Sequence, residues 1–276
     1  MKFLILITFT LIIGGPATFA KSGMTNVMSI GQGVSSPNMH ANINLSSGFT
    51  LQNPVGAYYQ QGARFSAQYI DGDIVNGSGG DSYNAIGLEL GYGGGSWGVT
   101  ASAYDYDDEN DATDDDEDLS AGLYFGMKPL DSLGFGIGFL EDHTILGFIF
   151  NPDGMHRIGL SYSVDTSSSI ISDVNTIALG YSYVENSFTL TADASKRTWA
   201  EATNGQDDPL FLTLGFMFRA DMFQFVINHE MVQSDDGDSI ASEETWYGVG
   251  FGKESWHVGI YSEYNGELAV NASFMF

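Results

Sequence analysis

Residues 133–140 read Leu-Gly-Phe-Gly-Ile-Gly-Phe-Leu, with large apolar side chains at Leu133, Phe135, Ile137 and Phe139 and glycine at Gly134, Gly136 and Gly138. Strict period two is a strand signature, because successive side chains of a strand leave on opposite faces. The second face decides the environment. A soluble sheet carries Lys, Glu and Thr on the face turned away from its core, whereas here that face holds three glycines in succession, with Leu140 only at its end. An apolar face that must meet something other than a protein core, opposite a face without bulk, suits a strand with lipid on one side and a lumen on the other.

The same texture runs from about Gly62 to the last residue. Ala63, Phe65, Ala67 and Tyr69 form one apolar ridge, Ile86, Leu88, Leu90 and Tyr92 the next, and Leu268, Val270, Ala272, Phe274 and Phe276 the last. The intervening positions carry Gly, Ser and Thr, as at Gly87, Gly91, Gly122 and Gly126. About fourteen such runs can be written down, within a range of 12 to 14 for the barrel. Short turns with Gly, Pro, Asn or Asp alternate with longer polar loops at 71–83, 105–118, 165–174, 196–208 and 233–244. Short turns on one rim and long loops on the other predict an all-β fold, a transmembrane antiparallel up-and-down β-barrel. Closure is required, since a lipid-facing sheet cannot leave an edge unpaired.

Composition agrees. Nine Lys and Arg face 35 Asp and Glu, a net charge of -26, which excludes a nucleic-acid partner. No cysteine is present, so disulfides, thiolate metal sites and a Cys nucleophile are excluded. Met1-Lys2, the apolar run Phe3 to Ile13 and the small residues up to Ala20 have the parts of a signal peptide cleaved after Ala20. The expected organisation is signal peptide 1–20, an N-terminal hatch-like segment 21–58 and a barrel 59–276, exported to the bacterial outer membrane. About fourteen strands leave a lumen too wide to fill with wall side chains, and segment 21–58 is available to narrow or plug it. Glycines on the inward face of 133–140 would let an inserted backbone come close.

The alternation turns Arg64, Glu89, Arg157, Asp193, Glu230 and Glu263 inward, with Lys128, Glu267, Gln68, Gln224, Asn228 and Asn271. These form either a structural ladder or a constriction whose charge selects what passes. The loop containing Asp107, Asp108, Asp114, Asp115 and Asp116 is expected to be a solvated, self-repelling surface. Its sharper reading is weak divalent-cation binding that bridges to lipopolysaccharide, but no high-affinity metal site is indicated. No cofactor motif stands: Gly93-Xaa-Gly95-Xaa-Xaa-Gly98 is followed by strand residues, not a helix. His143, in a short outer loop, and His257, beside Glu230, lack a nucleophile partner, so no enzyme is expected.

Two stretches carry a resemblance. Leu268, Val270, Ala272, Phe274 and terminal Phe276 are similar to the C-terminal signal read by the barrel-assembly machinery. The front segment, from Gly31-Gln32-Gly33 to Asn53-Pro54-Val55-Gly56, resembles the hatch of the long-chain fatty-acid transporter family, with Val55 where that family has Ala. The resemblance implies a fourteen-stranded monomeric barrel with a plug that passes hydrophobic molecules. The residue reading favours a porin-like channel for small solutes, cation- or neutral-preferring. Its alternatives are hydrophobic transport and a non-conducting barrel that binds lipid or another surface. Outer-membrane lipid, lipopolysaccharide, the assembly machinery and further copies of the chain are the expected partners.

Overall fold

The computed structural model of the chain describes residues 34–35, 42–44, 48–50, 53–59, 61–74, 81–108, 118–140, 143–165, 174–185, 187–199, 210–233, 240–253, 255–263 and 268–276. A hairpin of β1 (Asn42–Asn44) and β2 (Gly48–Thr50) and a 3-10 helix over Pro54–Tyr59 precede the barrel strands. These are β3 (Gln61–Ile74), β4 (Asp81–Gly94), β5 (Trp97–Asp108), β6 (Asp118–Leu130), β7 (Leu133–Leu140), β8 (His143–Phe150) and β9 (His156–Asp165). They continue with β10 (Val174–Val184), β11 (Phe188–Trp199), β12 (Leu210–Ala220), β13 (Phe223–Gln233), β14 (Ile240–Lys253), β15 (Trp256–Glu263) and β16 (Leu268–Met275).

Strands β3 to β16 form a closed barrel in which each pairs antiparallel with its sequence neighbours. The ring is sealed by β16 against β3, from Leu268↔Asp71 to Met275↔Arg64, and Phe276 N–H donates to Ala63 O at 2.8 Å. Every strand holds its polar backbone groups within the wall, the condition for crossing hydrocarbon. The fourteen-stranded, all-β, antiparallel architecture expected from the alternation is therefore present.

The apolar ridges face outward. Ile86, Leu88, Leu123, Phe139, Ile158, Leu179, Leu214, Val249 and Ile260 are all exposed, while Gly87, Glu89, Gly122, Tyr124, Arg157, Ala178, Gly215, Gly250 and Tyr261 next to them on the other face are buried. So much exposed hydrocarbon on a folded protein requires an apolar surrounding. Rings gather near the short-turn rim of this surface: Phe223 packs on Phe251, and Phe251 on Trp256, at centroid distances of 5.2 and 5.4 Å. His156 sits against Tyr181 and Tyr183, its Nδ1 2.6 Å from Tyr181 Oη. Such aromatic belts suit the boundary between lipid and water.

Strands run further into the loops than the sequence suggests. The long connections shrink to 75–80, 109–117, 166–173, 200–209 and 234–239. Asp105, Asp107, Asp108 and Asp118 consequently belong to β5 and β6 rather than to a loop. The ladder consists of backbone hydrogen bonds, which continue past the membrane band whatever the side chains are. The hairpin β1–β2 also departs from the irregular texture expected of 21–58.

Candidate functional site

Register converts scattered glycines into a surface. Gly62, Gly93, Gly98, Gly126, Gly136 and Gly147 stand directly opposite one another in turn across β3 to β8. A second short row, Gly159 and Gly180, links β9 to β10 and faces Asp193 on β11. Without side chains these rows are a smooth strip on the lumen wall, and residues 53–59 lie upon it. A Cβ at Gly126 would stand 2.7 Å from Tyr58 N and 2.9 Å from Pro54 O; one at Gly136 would run into the Pro54–Val55 peptide. One at Gly159 would meet the Val34–Ser35 backbone. Close backbone approach of this kind is a reason for glycine within a strand.

Asn53 holds the segment together. Its Nδ2 donates to Val34 O at 2.9 Å and to two wall carbonyls, Phe148 O at 3.2 Å and Leu160 O at 3.4 Å. Its Oδ1 accepts from Val55 N at 3.1 Å, starting the 3-10 turn that Pro54 favours through its fixed φ. The side chain is fully buried, so every one of these bonds replaces a lost hydration contact. Val55 packs on Ile149 and Tyr58, and Ala57 on Tyr124 and Ile145.

At the short-turn rim the end of the 3-10 segment, Tyr58 and Tyr59, meets the turn that begins with Asn151-Pro152. Tyr58 Oη donates to Asp153 Oδ1 at 3.1 Å, and Tyr59 Oη donates to Pro152 O at 2.9 Å. Lys128 Nζ donates to Asp153 Oδ2 at 2.5 Å and lies 6.0 Å from the Tyr58 ring centroid. Arg157 donates through Nε to Gly154 O at 3.0 Å and through a terminal nitrogen to Tyr59 Oη at 3.3 Å. Burial and the neighbouring Asp153 carboxylate push the Tyr58 phenol up to about 12, and burial also raises that of Tyr59. Protonated phenols keep donating here, so the rim clamp persists through neutral and mildly alkaline pH.

The lumen residues expected from the sequence fall into four places. Arg64 and Glu89 are buried on β3 and β4, diagonal neighbours whose opposite charges act on each other, and Glu89 accepts from Ser66 Oγ at 3.0 Å. Arg157 belongs to the rim clamp. Asp193 accepts from Val34 N at 3.0 Å and begins a row that passes directly through Thr213 and Glu230 to Glu244. Glu263 stands opposite Trp246 at the end of β15. Pro54 and Gly56 belong to the buried 3-10 segment, whereas Gly31, Gly33, Asp114, Asp115, Asp116 and Glu267 lie outside the described residues, as does the expected cleavage site. Asp107 and Asp108 pair in register with Asn84 and Tyr83. Phe274 and Phe276 are exposed, at the short-turn end of β16.

Two expectations about histidine need correction. His257 is not beside Glu230: it faces Gly252 near the short-turn rim, while Glu230 faces Glu244, eight positions away along β14. Alternation tells which face a residue takes but not its height in the wall, which only register supplies. His143 opens β8 rather than occupying a loop. Tyr58, Tyr59, Asp153, Thr213 and Glu244 are site residues that the alternation alone did not single out. Among the described residues no three His, Asp or Glu side chains are gathered to hold a metal ion.

No protein-family model matches the sequence, and no curated protein matches it. Solved structures are similar in fold. The Pseudomonas putida toluene transporter TodX superposes with a TM-score of 0.58 at 10% identity, covering 89% of this chain and 95% of that one. A bacterial polysaccharide outer membrane secretin gives 0.56 at 8% identity, covering 78% and 98%. The Ralstonia pickettii toluene transporter TbuX gives 0.55 at 10% identity, covering 82% and 92%. With its sealed ring, outward hydrocarbon face and inserted segment, the chain has the fold of an outer-membrane β-barrel.

Proposed function

We propose that this chain is a passive channel of the bacterial outer membrane, porin-like, with a lumen narrowed by its N-terminal segment and a preference for cations or neutral solutes. The observation that carries the reading is the polar lumen of a barrel whose outer face is apolar: Arg64, Glu89, Gln68, Gln224, Asn271 and Arg157 are all buried inside. A net charge of -26 repels anions at the approaches. No catalytic step is part of this reading. Outer-membrane lipid and lipopolysaccharide would surround the wall, and the assembly machinery would read the strand ending in Phe274 and Phe276; the same outward ridges would serve contacts between copies. Reconstitution into planar bilayers tests the proposal. Conductance with a reversal potential of cationic sign in a salt gradient is expected, and anion preference or a silent barrel counts against it.

One observation favours a second reading. The solved structures similar in fold include toluene transporters, and this chain carries its own Asn53-Pro54 corner inside the barrel. In this reading the chain passes hydrophobic compounds. Saturable toluene uptake by reconstituted vesicles, with no ionic conductance, would support it over the first.

A further inference from the structure

We propose that small cations cross the lumen along the wall of β10 to β14, and that Asp193 is both the innermost carboxylate they meet and the latch of the inserted turn Val34–Ser35. The inference rests on the channel reading above and assigns its path.

Four residues define the outer half of this path. Asp193, Thr213, Glu230 and Glu244 occupy one cross-strand row on the inward faces of β11 to β14. Thr213 Oγ1 donates to Glu230 Oε2 at 3.3 Å, which steadies one carboxyl group. The three carboxylates are strung along the wall rather than closed around a point, so an ion can be drawn from one to the next. Passage needs that arrangement, because a site that binds too well does not let go. Arg197, on the same face of β11, lies 5.0 Å from the Phe211 ring centroid and is the positive charge that Glu230 feels.

A second and separate observation continues the path inward. Thr191, two residues from Asp193 on the same face, lies opposite Ser182 of β10, and Thr189 follows two residues later toward the short-turn rim. Thr191, Ser182 and Thr189 are 6%, 0% and 1% exposed, and among the described residues their hydroxyl oxygens have no hydrogen-bond partner. An orphaned buried hydroxyl is costly unless something polar meets it, so three together mark a polar lining. Across from Thr189 on β12 and β13, Met217 and Val226 are fully buried and apolar, whereas the row of Thr191 continues through Gly215 to Asn228, whose Oδ1 likewise has no partner among the described residues.

Asp193 joins the two halves. Oδ1 accepts from Val34 N at 3.0 Å, while Oδ2 has no partner among the described residues. One oxygen thus holds the inserted turn and the other is left for a passing cation. The path runs past the plug on its polar side, while the glycine strip supports the plug on the other.

Planar-bilayer recording of the full-length barrel in a potassium chloride gradient tests this, with Asp193→Asn, Glu230→Gln and, as a charge control on the exposed β10–β11 turn, Glu185→Gln. The potassium-to-chloride permeability ratio is expected to fall at least about fourfold in either lumen variant, the factor one charge at about 5 Å in water sets, and to stay unchanged in Glu185→Gln. Because the chain has no cysteine, Thr191→Cys supplies a second measure in a barrel that keeps all its charges. Modification by a cationic methanethiosulfonate should outpace that by an anionic one and should lower the current. A conducting wild-type barrel whose selectivity survives both lumen variants, or a Thr191→Cys barrel that neither reagent reaches, overturns the path and leaves the channel reading standing. A wild-type barrel that conducts nothing overturns the channel reading itself.

Discussion

Replacing Gly126 by alanine places a methyl group 2.7 Å from Tyr58 N and 2.9 Å from Pro54 O, whereas ordinary contact begins at 3.4 Å. The inserted backbone must withdraw by about 0.7 Å, the difference between 3.4 and 2.7 Å. That movement pulls on the Asn53 bonds to Phe148 O and Leu160 O, of which the second is already long at 3.4 Å. Overpacking of this kind costs about 1–3 kcal/mol, which raises the population of barrels with a displaced plug by roughly 5- to 150-fold. Gly134→Ala is the matched comparison. Its methyl also stands 2.7 Å from its nearest neighbour, but that neighbour is Val55 Cγ1, a side-chain atom. Valine can yield by leaving its preferred rotamer for about 0.5–1.5 kcal/mol without moving the backbone. Single-channel recording and limited proteolysis of the N-terminal segment, on barrels whose folded state is verified by heat-modifiable migration, read both effects. Gly126→Ala should open more often and be cut faster, with Gly134→Ala intermediate. If Gly126→Ala matches wild type in both assays, the plug does not rest on the glycine strip and the reasoning fails.

Asn53→Ala takes from Val34 O, Phe148 O and Leu160 O the bonds that tie the segment to the wall, the last two being additional to the strand ladder, and removes the cap on Val55 N; a loss of about 1–3 kcal/mol in plug docking is expected, visible as faster amide exchange across residues 53–59. The Tyr58 phenol, held at about 12 against an ordinary value near 10, stabilises the rim clamp fully below pH 10 and loses that contribution as pH climbs from 10 to 12. Tyrosinate absorbance should therefore show a late phase that shrinks in Tyr58→Phe; an unaltered late phase contradicts the clamp. Leu179→Arg, on the exposed face of β10, should destabilise the barrel in lipid vesicles by about 2–4 kcal/mol, measured by denaturant unfolding, whereas a surface turned to water would tolerate it.

The alternation at Leu133 to Phe139 was enough to read the strands, because one face must satisfy lipid and the other a lumen that an inserted backbone approaches closely. Strand ends were harder. Asp105 and Asp118 look like loop residues, yet backbone pairing carries past the hydrocarbon zone without regard to side chain. The site was legible by face and not by height. Arg64, Glu89, Asp193 and Glu230 all lie on inward positions, but the row joining Asp193 to Glu230 through Thr213 exists only once β11, β12 and β13 are in register. The same holds for the glycine strip: Gly126, Gly136 and Gly147 are unremarkable one at a time. The bond from Val34 to Asp193 spans 159 positions, beyond any local signal. The bond from Tyr59 to Pro152 in the rim clamp spans 93 positions and is no more local.

The seam between β16 and β3 shapes the life of the molecule before it is finished. Leu268 pairs with Asp71, 197 positions earlier, so the sheet keeps two raw borders until its final segment has left the ribosome and met its first. Contacts that distant form slowly, and meanwhile the borders can zip onto any stray strand. Shortening the tail by one strand would therefore yield not a narrower tube but an unrolled ribbon with a sticky margin on each side. Such a chain would need an escort from synthesis to insertion.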